Sequence, residues 1–202
     1  MTDTESRRRA PGMSPEQRRE AVVRAALPLV GEHGAAVTTA QIARAAGIGE
    51  ATIFRVFDDK QAVLDACVAA ALDPTVVLQE LRSIALEQPL AVRLVEAADA
   101  LDAHFARVGS VLGALHATGH AGPRRAPVPG SRERSVSATF DAIVELIEPD
   151  KERLRLPVET LANAFLSLLF PARVGGHPGG RTVAIEDLVD VFLYGAVKPE
   201  TA

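Results

Sequence analysis

Tryptophan is missing from this 202-residue chain, aromatic residues make up 4% of it, and cysteine occurs once. With so few rings, a chain that is 48% hydrophobic must build its core from Leu, Val, Ile and Ala, a composition that favours helices. The lone thiol, Cys67, has no partner for an intramolecular disulfide, which points to a reducing, cytoplasmic compartment. No uncharged run approaches the length of a bilayer span, and no apolar stretch follows Arg7, Arg8 and Arg9, so no membrane role is expected. A strong excess of positive charge is also lacking, since the net charge is −4. Its distribution is uneven: residues 1–60 carry nine basic against eight acidic side chains, and the remainder totals −5. A nucleic-acid partner would have to be held by a few well-placed cations rather than by a broad basic field.

What the chain does have is the run TTAQIARAAGIGEATIFRVFDDK over residues 38–60. Thr38 or Thr39 can cap a first short helix. Ile42 and Ala46 share one face of it, and Ala43 is small enough to admit a crossing helix. Gly47 ends that helix, because glycine accepts the left-handed conformation of a C-terminal stop. A second helix over residues 50–57 places Ile53 and Phe57 four apart on an inward face. Glu50, Ala51, Thr52, Phe54 and Arg55 are left largely on the other side, where a helix can present them to base edges. Asp59 can cap a further helix that starts at Lys60. The pattern is that of a helix-turn-helix.

This stretch resembles the N-terminal domain of the TetR family of transcriptional regulators, in which T-T, I-A, A-G-V and T-L-Y or T-I-F elements follow in this order, with an aromatic residue and a lysine after them. The likeness covers roughly residues 15–72, and the rest agrees only in helical character and length. The resemblance implies roles for individual residues. Thr39, Thr52 and Lys60 stand where backbone phosphates are met, while Ala40, Glu50, Ala51 and Phe54 stand at or near base edges. Phe54 replaces the usual tyrosine, so that hydroxyl contact to DNA is lost. Glu50 repels phosphate but can accept from a cytosine amino group, Ala51 can touch a thymine methyl, and Arg55 can grip a phosphate or a guanine.

The remaining chain reads as helices, about nine in all, with no strand and no internal repeat. Ser14-Pro15-Glu16-Gln17 is a capping box that opens a helix reaching about His33, in which Pro28 should cause a kink or an early end. Residues 60–72 bury Val63, Leu64, Cys67 and Val68, the thiol being an inert core group. Residues 75–87 are amphipathic through Val77, Leu81, Ile84 and Leu86, and Pro89 opens a long helix reaching Leu115. Residues 119–130 read as a mobile loop, and a helix over 131–148 follows it. The Gly-rich piece at 175–180 reads as a turn, since no lysine or preceding strand makes it a phosphate cradle.

Between Leu161 and Phe170 only Asn163 and Ser167 are polar, so that helix must be covered on two sides. The helix over 185–196 adds Leu188, Val189, Phe192 and Leu193. A partner surface made of Leu161, Phe165, Leu168, Leu169, Leu188 and Phe192 follows, and the resemblance implies a homodimer paired through these last two helices, with two heads entering successive major grooves of a near-palindromic operator. The long helices on either side of the loop can enclose an apolar cavity for a small effector, with Leu101, Phe105, Val108, Phe140 and Val144 as walls and His104 or Arg107 as polar contacts.

Other functions have less behind them. The chain holds no Glu-x-x-His pair for a bundle metal site, and His116 and His120 are separated by Gly119 and read as a surface pair. No nucleophile and base stand at a suggestive spacing, so no catalytic residue, metal or cofactor is expected. A ligand-independent, dimeric DNA-binding protein is the competing reading, but some 130 residues of body exceed what dimerisation needs. The sequence therefore predicts an all-α homodimer with three parts. Residues 1–13 form a disordered basic arm whose arginines can touch DNA, 14–71 a three-helix helix-turn-helix domain, and 72–202 a helical effector-binding and dimerisation domain. The expected function is that of a cytoplasmic repressor of double-stranded DNA targets, released by a small apolar effector.

Overall fold

The computed structural model describes residues 13–120, 131–174 and 183–195. The arginine triplet, residues 121–130 of the loop expected over 119–130, and the glycine-rich piece at 175–180 lie outside the described residues. Among those described, no strand occurs, and nine α-helices follow one another: α1 Pro15–His33, α2 Thr39–Ala45, α3 Glu50–Ile53, α4 Lys60–Ala71, α5 Thr75–Ser83, α6 Leu90–Ala117, α7 Ser131–Ile147, α8 Val158–Val174 and α9 Ile185–Tyr194. They form two compact units, a head of residues 13–71 and 111–120 and a body of residues 72–110, 131–174 and 183–195.

The head is nucleated by local signals. Ser14 caps α1 with a reciprocal bond to Gln17, closing the capping box its sequence announces. Val22, Ala26 and Val30, each four apart, form its fully buried stripe. Pro28 does not shorten the helix as expected, because it sits on the exposed side, where the carbonyl it leaves unbonded meets water. Val63, Leu64, Cys67 and Val68 of α4 close the core from another side. Burial pushes the Cys67 thiol up to about 12, so it stays an inert apolar group.

The head also takes in residues that the sequence reading assigned to the body. Val111 and Leu115, four apart on the last turns of α6, are buried in the head's core. Gly34, at φ +56°, lets α1's end meet this segment: a Cβ there would lie 2.2 Å from the Ala114 carbonyl oxygen. Thr118 Oγ1 accepts from the Ala35 amide at 2.7 Å and donates to the Ala114 carbonyl. His120 is also displaced from its expected surface pairing. Its side chain is 4% exposed and lies against Gln61 and Asp65 of α4.

In the body, Leu94 and Leu101 of α6, Ile143 and Ile147 of α7, and Phe165 and Leu169 of α8 form one cluster with Val77 and Leu81 of α5. Helix α5 stops at Ser83, four residues early, and Leu86 is exposed rather than packed. The cause is Arg93, 2% exposed, whose guanidinium donates to the carbonyls of Leu86 and Gln88 and pairs with Asp150. Those carbonyls are thereby satisfied without a helix, and the buried charge is neutralised by a carboxylate that Arg153 also reaches. The apolar stretch Lys60–Ser83 has mean hydropathy 1.5, but Asp73 and Pro74 divide it into α4 and α5, each too short to cross a bilayer.

Candidate nucleic-acid interface and body cavity

Helix α2 begins with Thr38, whose side chain accepts from the Gln41 amide at 3.2 Å while Gln41 Oε1 accepts from the Thr38 amide at 2.8 Å. Thr38, not Thr39, is thus the cap. The helix ends in a Schellman motif: the Ile48 amide reaches the Ala43 carbonyl at 3.0 Å and the Gly47 amide reaches Arg44 at 3.2 Å, with Gly47 at φ +67°. This stop turns the chain into α3.

Helix α3 is shorter than the eight residues expected. It is α-helical over Glu50–Ile53 and continues as tighter turns, in which the Arg55 and Val56 amides bond the carbonyls of Thr52 and Ile53, before Phe57 returns to Ile53 at 2.9 Å. So short a helix has few i→i−4 bonds to hold it, and its end relaxes to i→i+3 spacing. The faces nevertheless fall as expected. Ile53 and Phe57 are buried, and full burial of a side chain like Ile53 contributes about 1.5–3 kcal/mol. Ala40, Glu50, Ala51, Phe54 and Arg55 are exposed, and Thr39 and Thr52 are half-buried.

Three contacts fix this surface from behind, and the sequence pointed to none of them. Arg19 lies over the Phe57 ring, 4.1 Å from its centroid, and donates to the Val56 carbonyl at 3.0 Å, so it braces the end of α3. Thirty-seven residues separate Arg19 from Val56, and no local pattern could reveal the pairing. Thr39 Oγ1 donates to Glu50 Oε1, joining the first turns of α2 and α3. Lys60 Nζ donates to the Ala35 and Val37 carbonyls at 2.8 and 3.2 Å, which leaves one of its three donors uncommitted. Asp59 caps α4 as expected, accepting from the Ala62 amide at 2.8 Å.

The body carries a cavity of about 800 Å³ that is open to solvent on one side. Leu101, His104, Phe105 and Phe140 line it, as the sequence suggested; Val108, Val144 and Arg107 do not. Val144 instead packs against the body's core. The sequence reading missed Leu72 and Pro74 beside α5, Glu133, Val136 and Thr139 of α7, and Asn163, Leu166 and Ser167 of α8. The polar stripe of α8 was visible in the sequence, yet only the fold shows that it faces a void. His104 has its pKa lowered by burial and by Arg107, against the opposing pull of Asp73 and Glu80, so the neutral imidazole is favoured.

The expected partner surface needs correction. Phe165 and Leu169 are 0% and 2% exposed within their own subunit, and the Phe165 ring packs on Phe192 at 5.4 Å. They lie on the face of α8 that meets the body's core and offer nothing to a second copy. Among the described side chains of α8 and α9, Leu168, Val191 and Tyr194 are instead the large apolar ones that are exposed, at 44%, 48% and 73%, with Leu161 and Leu188 half-buried.

Residues 22–67 match the family model for bacterial regulatory proteins of the tetR family. No curated protein matches the chain as a sequence. Among solved structures, the TetR family transcriptional regulator PfmR from Thermus thermophilus is 18% identical with a TM-score of 0.55, over 88% of this chain and 99% of that one. The fatty acid degradation regulator FadR from Bacillus halodurans is 17% identical at 0.58, over 92% and 98%. The TetR-like regulator LfrR from Mycobacterium smegmatis, solved in complex with proflavine, is 17% identical at 0.53, over 90% and 98%. The likeness thus extends through both units as a fold and is specific in sequence only in the head, where residues 22–67 match the tetR family of bacterial regulatory proteins.

Proposed function

We propose that the protein is a sequence-specific, DNA-binding transcriptional regulator of the cytoplasm, a homodimeric repressor that a small apolar effector releases from a near-palindromic operator. The observation that carries this reading is the outer face of α3, where Glu50, Ala51, Phe54 and Arg55 are exposed while Ile53, Phe57 and Arg19 hold the segment from behind. Phe54, half exposed without a hydroxyl, suits a sugar or a thymine methyl, and Glu50 suits a cytosine amino group. Thr39, Thr52 and the remaining donor of Lys60 serve phosphates. Leu161, Leu168, Leu188, Val191 and Tyr194 supply the dimer surface. The cavity favours an effector-responsive protein over a ligand-independent one, and α6 carries both cavity residues, Leu101 to Phe105, and head-core residues, Val111 and Leu115.

The test is footprinting on the DNA upstream of the protein's own coding region, as a function of salt. A palindromic, salt-sensitive footprint is expected. Glu50→Gln keeps an acceptor for Thr39 while removing the charge, and should change the preferred base at its position by about 1–3 kcal/mol of discrimination. Unchanged selectivity would remove Glu50 from the reading surface. Sedimentation equilibrium at micromolar concentration that showed monomer alone would overturn the dimer.

A further inference from the structure

The cavity's chemistry selects among effectors. Its apolar wall is made of Leu101, Phe105, Phe140 and Leu166. Its polar wall is made of hydroxyls and an amide, with Asn163 and Ser167 one turn apart on α8 and Thr139 donating to the Ser135 carbonyl, which leaves that hydroxyl free to accept. Among the described lining residues, a single one carries a formal charge at neutral pH, and it is the carboxylate Glu133. The electrostatic surroundings have the same sign. Asp73 and Glu80 act on His104 against Arg107, a cation outside the cavity wall. Residues 72–202 carry 13 basic against 17 acidic side chains. His104 itself is held neutral and does not repel a positive ligand.

A carboxylate or phosphate ligand entering here would give up water for a wall with no described cation to receive it, and would face Glu133. A ligand bearing a basic or quaternary nitrogen has the opposite balance. Glu133 supplies the counter-charge, the two phenyl rings offer cation–π faces, and Asn163 and Ser167 offer oxygen acceptors. We infer that the cavity takes an amphipathic organic cation, with its apolar body against Phe105, Phe140 and Leu166 and its positive end toward Glu133, and that it discriminates against anions of the same length. This rests on the reading of the cavity as an effector site and narrows it to one charge class.

Three probes of one chain length separate charge from hydrophobic binding: decyltrimethylammonium, decanol and decanoate, titrated calorimetrically into the full chain below their micellar concentrations. The cation should bind tightest and decanoate weakest. Glu133→Gln should weaken the cation about three- to tenfold, a modest factor because Glu133 is exposed to solvent, and leave decanol unchanged. Phe140→Ala should weaken all three, locating them in the cavity. Decanoate binding as tightly as the cation, or a Glu133→Gln variant with an unaltered preference, overturns the charge assignment while the cavity remains an effector site. If none of the three binds, the effector reading of the cavity falls and the charge assignment with it.

Discussion

Head and body are built from the same aliphatic residues, yet they pack to different ends. The head fills its interior with Val, Ile and Ala at short spacings, and its loops are tied by backbone and side-chain bonds such as Lys60 to Ala35 and Val37. The body has longer helices whose core fills one side while a void of about 800 Å³ remains on the other. The contrast fits the roles proposed for the two units. A surface that enters a DNA groove has to hold a few side chains in fixed register, so its supports are over-determined. A receptor for a small molecule must leave apolar surface unfilled, at the cost of the packing energy that filling it would provide.

If the head is closed and the body open, equal insults should have unequal effects. The largest is expected at Gly34→Ala, where the new Cβ would fall within 2.2 Å of the Ala114 carbonyl oxygen, on a backbone conformation L-residues rarely adopt. A loss of about 3 kcal/mol, or roughly 6–12 °C in Tm, should appear in thermal denaturation. Gly47→Ala isolates the backbone part of that penalty. Its φ is +67° but nothing lies within 4 Å of the added Cβ, so about 1 kcal/mol is expected. Equal losses at the two glycines would show that Ala114 and Thr118 do not hold the head's turn tightly. The smallest effect belongs to the cavity wall. Leu166→Ala, at a half-buried residue already bordering a void, should cost under about 1 kcal/mol, whereas buried leucines lose about 2–5. A larger loss in a urea melt would mean that this wall supports the body's core.

Burial also makes His104 a probe of the body under acid. Its folded-state pKa lies below the ordinary histidine value, so below that ordinary value the unfolded chain binds more protons than the native one. The His104 contribution is therefore complete above the ordinary pKa and is lost as pH falls toward the depressed one. His104→Gln should flatten the dependence of Tm on pH across that window, and an unchanged profile would show that the imidazole is as well solvated as in the unfolded chain.

Much of the head was legible because its determinants are local. Thr38 and Gln41 close a capping box three residues apart, and the stop of α2 at Gly47 is made by bonds that span three and five. Ile53 and Phe57 mark the inner face of α3 by a four-residue spacing. The body was legible in its helices and only half so in its cavity. Leu101, His104, Phe105 and Phe140 were within reach of periodicity, whereas Val144 shares their pattern and went to the core. The apolar face of α8 shows the limit. Its sequence requires two coverings, but cannot say that Phe165 and Leu169 turn to the core while Leu168 turns outward.

By itself the sequence determined the element types, the stop of α2 and the outward face of α3, since capping, glycine conformation and helical period act over a few residues. The tertiary structure decided that Arg19 braces Phe57, that α6 lends Val111 and Leu115 to the head, and which face of α8 looks into a void. These are contacts between segments far apart in the chain, chosen by how whole helices fit together, and no short window of residues contains that information.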